Sequence, residues 1–458
     1  METVFAQLSE DAKDFWAPRS VARIPPPSPL VFYRDYVSKN IPVIITGGID
    51  HWPAMRKWTD DYLLQTIGNK TVTVDVTPSG YGDAVLALDA TTKVFVQPEE
   101  RDVTFREFHT LYHDAAFDGI PYLSHQNDSL RDQFPQLVGD VDAAIGFAAE
   151  AFGNTPEAVN LWIGDERAVS TMHKDHYENM YCVVRGRKHF TLLPPSDVAF
   201  LHETTYPTTR YVHESRTARF DAAALRPSTH PSWFVHVPVE AAESTPWIPV
   251  DPLNVDAAQF PNAKHIAPLE VVLEAGEMLY LPSLWYHRAT QLCDTVAVNY
   301  WHDMEFDAKY VYFNFVHGVA TAAKELRLKT HSLSCLAPAR VHQAVAAARG
   351  PAPRTPPVPA ESLLGAVRSA SAVEPAWNTT PPAPTRILKH QLLCRSLPPS
   401  AAAQALAPSQ TPLCLRKGEA PKATKASLLA LRRQVEMRLA QDRNEERREA
   451  NEWWWPPA

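Results

Sequence analysis

Apolar positions along residues 30–120 alternate between two spacings. In "LVFYRDYVSKN" and "TFREFHTLYH" they recur every three or four places, the period of a helix lying on a core. "TDDYLLQTIG" does the same, bracketed by Thr59 as an N-cap and by Gly68 at its end. "PVIIT" reads as a short buried strand broken by Gly47 and Gly48, while "KTVTVDVTPSGYGD" and "KVFVQPE" alternate with period two. Residues 1–30 read as a short helix and a proline-rich lead-in. From 121 to 318 strand signals dominate: "IPYLSH", "NLWIG", "NMYCVVRGRKHFTLLPP", "LEVVLEAGEMLYLP" and "TVAVNYWHD". Such short β-branched and aromatic runs, punctuated by Gly and Pro, predict antiparallel strands in a sandwich or barrel. "DAKYVYFNFVHGVATAAKELRL" closes this region as a helix. The pattern therefore predicts a mainly β protein with flanking helices: an α/β portion over 1–120 packed on a β core at 121–318.

Beyond about residue 330 the periodicity fades. Residues 351–400 hold 11 of the 41 prolines, mixed with Ala, Ser and Thr, and a disordered linker is expected over 319–425. A charged helical tail is expected over 426–458, with a rough apolar stripe from Leu428 to Leu439 among Arg and Glu. No internal repeat is present.

Composition narrows the class. The chain has 458 residues, 45% of them apolar, enough for a sizeable core. No apolar run approaches the ~18 residues that a membrane helix needs, and "METVFAQLSEDAKDFW" lacks the basic-then-apolar pattern of a secretory signal. The five cysteines show no CxxC pair, so a zinc knuckle or disulfide framework is not expected, and a cytoplasmic or nuclear setting is. The net charge of −8 is uneven: residues 351–458 carry 15 Lys/Arg against 9 Asp/Glu, leaving −14 on residues 1–350. An acidic body attracts a basic partner and repels nucleic acid; for the tail the question stays open.

Chemistry gathers in "TMHKDHYENMYCVVRGRKHFTLLPP", residues 171–195. His173 and Asp175 are two apart, so on a strand they share a face and can converge on one ion. His287, at the end of "GEMLYLPSLWYH", can supply a third ligand if the two strands are neighbours. Two His and one carboxylate leave three octahedral positions open, the ligand set of non-haem Fe(II) oxygenases. Taken alone, an HxD pair is more often a polar surface loop than a metal site. Lys188 offers a point charge for a co-substrate carboxylate, or is an ordinary solvated strand lysine. Ser170 and Tyr122 offer hydroxyls.

Several motifs then resemble one family in order: "HKDHYENMYCVVRGRKHFTLLPP", "PWIPVDPL", "GEMLYLPSLWYHRA" and "VAVNYWHDM" resemble the JmjC, cupin-type 2-oxoglutarate oxygenases, in particular their small lysyl hydroxylase branch. The likeness runs over roughly residues 28–316. It implies a double-stranded β-helix (jelly-roll) core, Fe(II), 2-oxoglutarate as co-substrate and O2. It implies His173, Asp175 and His287 as the catalytic metal triad, and Lys188 on the distal carboxylate with Tyr122 and Ser170 beside it. Ser170 stands where many relatives have threonine. Asn179 and Asn299 resemble asparagines lining the co-substrate pocket. On the substrate side stand Tyr177, Tyr181, Trp247, Asp251 and Trp285, with Asp251 facing a lysine ammonium; each also reads as packing or loop structure. The expected reaction is hydroxylation of a lysine side chain in a protein substrate, of the GTP-binding class by resemblance, by an enzyme able to pair as a homodimer. The alternatives are a histone-lysine demethylase, a metal-dependent endopeptidase of basic tails, for which no HExxH is present, and a non-catalytic binding module on a cupin scaffold.

Overall fold

The computed structural model describes residues 2–326 except Asn127, residues 239–242 and Glu325. The expected tail and the linker beyond residue 326 lie outside the described residues. Residues 319–324, counted with the linker from sequence, continue the closing helix, which runs over 308–324. No described helix is long and apolar enough to cross a membrane.

Eight strands make the core: β1 (Ala158–Gly164), β2 (Val169–Lys174), β3 (Tyr177–Arg185), β4 (Arg187–Leu193), β5 (Leu269–Glu274), β6 (Glu277–Leu281), β7 (Tyr286–Gln291) and β8 (Thr295–Asp303). One sheet orders them β6-β3-β8-β1, the other β5-β4-β7-β2. This is the jelly-roll order that the resemblance implies. Val43–Thr46 extends the first sheet beyond β6, and Ala22–Ile24 pairs parallel with it. Gly186 joins β3 to β4 at a φ of +78°, where a Cβ would lie 2.1 Å from the Asp294 carbonyl, so only glycine fits this turn.

Strand alternation divides the core in two. Tyr181 and Val183 of β3, Phe190 and Leu192 of β4, Leu279 and Leu281 of β6 and Ala297 of β8 share the barrel interior. The alternate residues Met180, Cys182, Val184, Met278, Tyr280, Val298 and Tyr300 face outward onto the N-terminal portion. There α1 (Glu2–Phe15), α2 (Asp60–Ile67) and α3 (Phe105–His113) are the longest helices. Thr59 caps α2 by accepting from Tyr62 N, and Thr104 and Glu107 form a reciprocal capping box on α3. "LVFYRDYVSKN" is a helical turn, Pro29–Phe32, running into a π-turn, Tyr33–Val37.

The segment between β4 and β5 holds more structure than its sequence signals. Thr204–His213 pairs parallel with Lys93–Gln97 and antiparallel with Trp233–His236 and with Ser244–Trp247. Pro207 and Pro246 interrupt the ladder-donor pattern that marks strands, which hid this sheet.

One buried network ties the strands that carry the site. Glu178 of β3 accepts from Tyr280 Oη (2.7 Å), Ser283 Oγ (2.8 Å) and Ser283 N (3.1 Å), and pairs with Lys309 of the closing helix (3.2 Å). Glu178 is only 4% exposed. Removing it strands several donors and a cation, each costly to leave unpaired. Glu178→Ala is expected to lower unfolding stability by about 3 kcal/mol, read as a drop in the urea midpoint at unchanged slope.

Candidate active site

Antiparallel pairing of β2 with β7 sets His173 opposite His287, after a register shift between Ser170 and His173. Asp175 lies not on the strand, as its spacing suggested, but in the turn between β2 and β3; its carbonyl accepts from Leu284 N at 2.9 Å. Its Oδ2 is 3.9 Å from His173 Nε2 and 3.6 Å from His287 Nε2. One ligand atom from each of the three residues lies within 4.8 Å of the others. Both rings are fixed from behind: His173 Nδ1 is 2.6 Å from the Thr171 carbonyl, and His287 Nδ1 is 3.1 Å from the Trp285 carbonyl. A carbonyl can only accept, so each Nδ1 carries the proton and each Nε2 turns a lone pair inward. Burial, and the neighbouring His173, lower the His287 pKa to about 4, so the imidazole stays neutral, the form that ligates.

Deeper in the barrel Lys188 is 2% exposed. It donates to Tyr181 Oη (2.7 Å) and Tyr122 Oη (3.0 Å), and its ammonium lies within 6 Å of the ring centroids of Tyr122, Trp162, Tyr181 and Phe190. Among the described residues no carboxylate forms an ion pair with it. Desolvation alone lowers its pKa to about 7. A buried cation without an anion is costly. Ser170 reaches the Tyr122 hydroxyl from β2.

The remaining predicted residues separate. Asn299 Nδ2 donates to Asn179 Oδ1 (3.1 Å) and Asn299 Oδ1 accepts from Trp162 Nε1 (2.8 Å), a buried chain on the interior face. Tyr181, placed from sequence on the substrate side, instead has its hydroxyl on Lys188, because it reaches across the interior from the opposite sheet. Trp285 is a core residue, 1% exposed, donating to the Asn40 carbonyl at 2.8 Å, rather than part of the substrate side. Asp251 lies 3.5 Å from Arg288 Nε, so its charge already has a cationic partner. Tyr177 stacks on Trp301 with centroids 5.0 Å apart. Trp247 is half-buried, stacks near-parallel on His173 at 5.9 Å, and donates to Thr171 Oγ1 at 3.0 Å.

A sequence profile described as a cupin-like domain matches residues 29–308. The human bifunctional peptidase and (3S)-lysyl hydroxylase JMJD7 is 40% identical over 329 residues, covering 70% of this chain and 98% of the relative. JmjC domain-containing protein E of Dictyostelium discoideum is 36% identical, covering 72% of this chain and 96% of its own. The lysine-specific demethylase JMJ32 of Arabidopsis thaliana is 38% identical, covering 66% and 86%. The chain belongs to the JmjC group of cupin-like proteins. The JmjC cupin is a fold of 2-oxoglutarate oxygenases, which use Fe(II) and 2-oxoglutarate. The residues here fit both groups: two imidazoles and a carboxylate form an N2O set with open positions, and among the described residues no carboxylate pairs with Lys188.

Within this JmjC pocket the sequence reading missed Gln291. It is 3% exposed and pairs in register with Lys188. Its amide faces the Tyr122 hydroxyl, yet neither Oε1 nor Nε2 makes a hydrogen bond of ordinary geometry. The signal was available: Gln291 is four residues after His287 on one strand, hence on the same face.

The Lys188 environment fixes a pH dependence. A dianion such as 2-oxoglutarate, held there, would bind the protonated lysine and raise its pKa above the free value of about 7. Below that value Lys188 is already charged and affinity is flat. Above it binding must take up a proton, so 2-oxoglutarate affinity falls by up to about tenfold per pH unit. Calorimetry on the Mn2+-loaded protein across pH 6–9 checks this, and the slope is expected to vanish in Lys188→Met.

Proposed function

We propose that this chain is an Fe(II)- and 2-oxoglutarate-dependent protein hydroxylase acting on a lysine side chain of a protein substrate. The observation that carries the reading is the pairing, in one barrel, of a convergent His-Asp-His set with a buried ammonium that pairs with no carboxylate among the described residues. The 40% identity to a human (3S)-lysyl hydroxylase along nearly its whole length supports the substrate class. The acidic body, −14 over residues 1–350, suits a basic target.

His173, Asp175 and His287 would hold the iron on one face. Lys188, with the Tyr122 and Tyr181 hydroxyls, would hold the distal carboxylate of 2-oxoglutarate. When bound, the metal and co-substrate supply activation of O2 and transfer of one oxygen atom into a substrate C–H bond, with succinate and CO2 as the other products. The chain's own part is positioning. The Thr171 and Trp285 carbonyls keep both imidazoles in the ligating tautomer. The interior aromatics exclude bulk water from Lys188. Trp247 walls the side of the metal set beside His173.

Product chemistry tests the reading. Purified protein with Fe(II), 2-oxoglutarate, air and a lysine-bearing protein target is expected to form succinate and to add one oxygen atom to a lysine, located by tandem mass spectrometry. Loss of a methyl group would point instead to demethylation, the activity in the name of the Arabidopsis relative. A cut backbone would point to peptidase action, the other activity in the name of the human one. No succinate from iron-loaded protein with any lysine-bearing target would overturn the oxygenase reading. Lys188→Ala is expected to keep the metal while weakening 2-oxoglutarate binding about 100-fold or more, measured by calorimetry.

A further inference from the structure

A second cluster of ligating side chains lies on the helical layer, outside the barrel. Asp60 is the first residue of α2, and His109 and His113 stand four apart on α3, so both rings project from one helix face. Their ring centroids are 4.5 Å apart. One ligand atom from each of the three residues lies within 4.8 Å of the other two, the same criterion that the barrel triad meets.

The distances favour an ion over a direct contact. His109 Nε2 is 3.6 Å from Asp60 Oδ2, too far for a hydrogen bond. Two atoms each ~2.0 Å from a tetrahedral ion lie about 3.3 Å apart. The barrel triad shows the same spacing, 3.6 and 3.9 Å, between its carboxylate and its imidazoles. His109 Nε2 is shut off from solvent and makes no hydrogen bond, an unmet cost in the free protein. Asp60 is meanwhile oriented by Arg185, whose Nη2 lies 2.8 Å from Oδ1. That leaves Oδ2 turned toward the histidines, with the outer oxygen held as metal-bound carboxylates commonly are.

We propose that Asp60, His109 and His113 form a second metal site, taking a divalent transition ion of the zinc class with water in its fourth position. Two imidazoles and one carboxylate suit Zn2+. The exposure of His113 leaves a path for the ion. Bound there, the ion would fasten α2 to α3 and, through Arg185, to the end of β3. This site is independent of the lysyl hydroxylase reading and survives its failure.

Metal counting tests it on the full chain. Protein stripped with chelator is dialysed against Zn2+ and then against metal-free buffer, and retained zinc is measured by plasma mass spectrometry. Wild type is expected to hold two equivalents and His173→Ala/His287→Ala one. Adding His113→Ala, at an exposed position, is expected to remove that last equivalent without changing the circular dichroism spectrum. Zn2+ is expected to raise the melting temperature of His173→Ala/His287→Ala and not of the triple variant. No zinc retained by the barrel variant would overturn the proposal. So would an equivalent that survives His113→Ala, since the ion would then sit elsewhere in the chain. Should the triple variant misfold, Co2+ visible absorption of His173→Ala/His287→Ala decides: bands of a tetrahedral site with nitrogen and oxygen ligands support the proposal, and the octahedral aqua spectrum overturns it.

Discussion

The register between β2 and β7 is the constraint on which the rest of this structure depends. His173 stands directly opposite His287, and one imidazole alone is no site. A slip of one residue in either strand would turn a ligand to the other face, because side chains alternate with period two. The fold guards this register from several sides. β7 is paired on its other edge with β4, Leu192 against His287 and Lys188 against Gln291, so the strand carrying His287 also carries the neighbour of Lys188. Glu178 then grips Ser283 in the turn leading into β7. The distance between the His-Asp-His cluster and Lys188 is thus set by backbone pairing, which is stiffer than any side-chain contact.

The same barrel resolves an electrostatic conflict. Its interior is apolar enough to bury Lys188 almost completely, and desolvation disfavours the charged form. Four aromatic rings and two hydroxyls soften that cost without removing it. An acidic residue in their place would stabilise the free protein, but it would also compete with any anionic ligand. The free protein therefore keeps a buried lysine with no carboxylate beside it among the described residues, at a cost in stability.

Much of this was legible in the chain. Helices announced themselves through caps such as Thr59 and the Thr104–Glu107 box, and the barrel strands through alternation. His173, Asp175 and Lys188 fall within sixteen residues, so their meeting needed only local geometry. His287 required knowing that β2 and β7 are neighbours, a long-range fact that came from resemblance and not from periodicity. The failures have physical causes too. Tyr181 was read by strand position alone, whereas its hydroxyl crosses to the facing sheet. Trp285 flanks a ligand in sequence, but the turn before it, with Leu284 at a φ of +68°, sends the indole into the core. The sheet around Thr204–His213 alternates polar residues with prolines, so little in its pattern separates it from loop.

That poorly signalled segment nevertheless reaches the metal set. Trp247, from strand Ser244–Trp247, donates its indole N–H to Thr171 Oγ1 and stacks nearly parallel to His173, the planes 8° apart. Thr171 in turn accepts from His173 Nδ1 through its carbonyl. One residue thus links the segment between β4 and β5 to the tautomer and tilt of the first ligand. A shift of that segment could not leave His173 unmoved without breaking the indole bond or the stack. The barrel fixes where the ligands are, and the segment over its mouth helps to fix how one of them points. Sequence differences far from the triad, in Thr204–His213 or Ser244–Trp247, therefore have a physical route to His173 that needs no change in the triad itself.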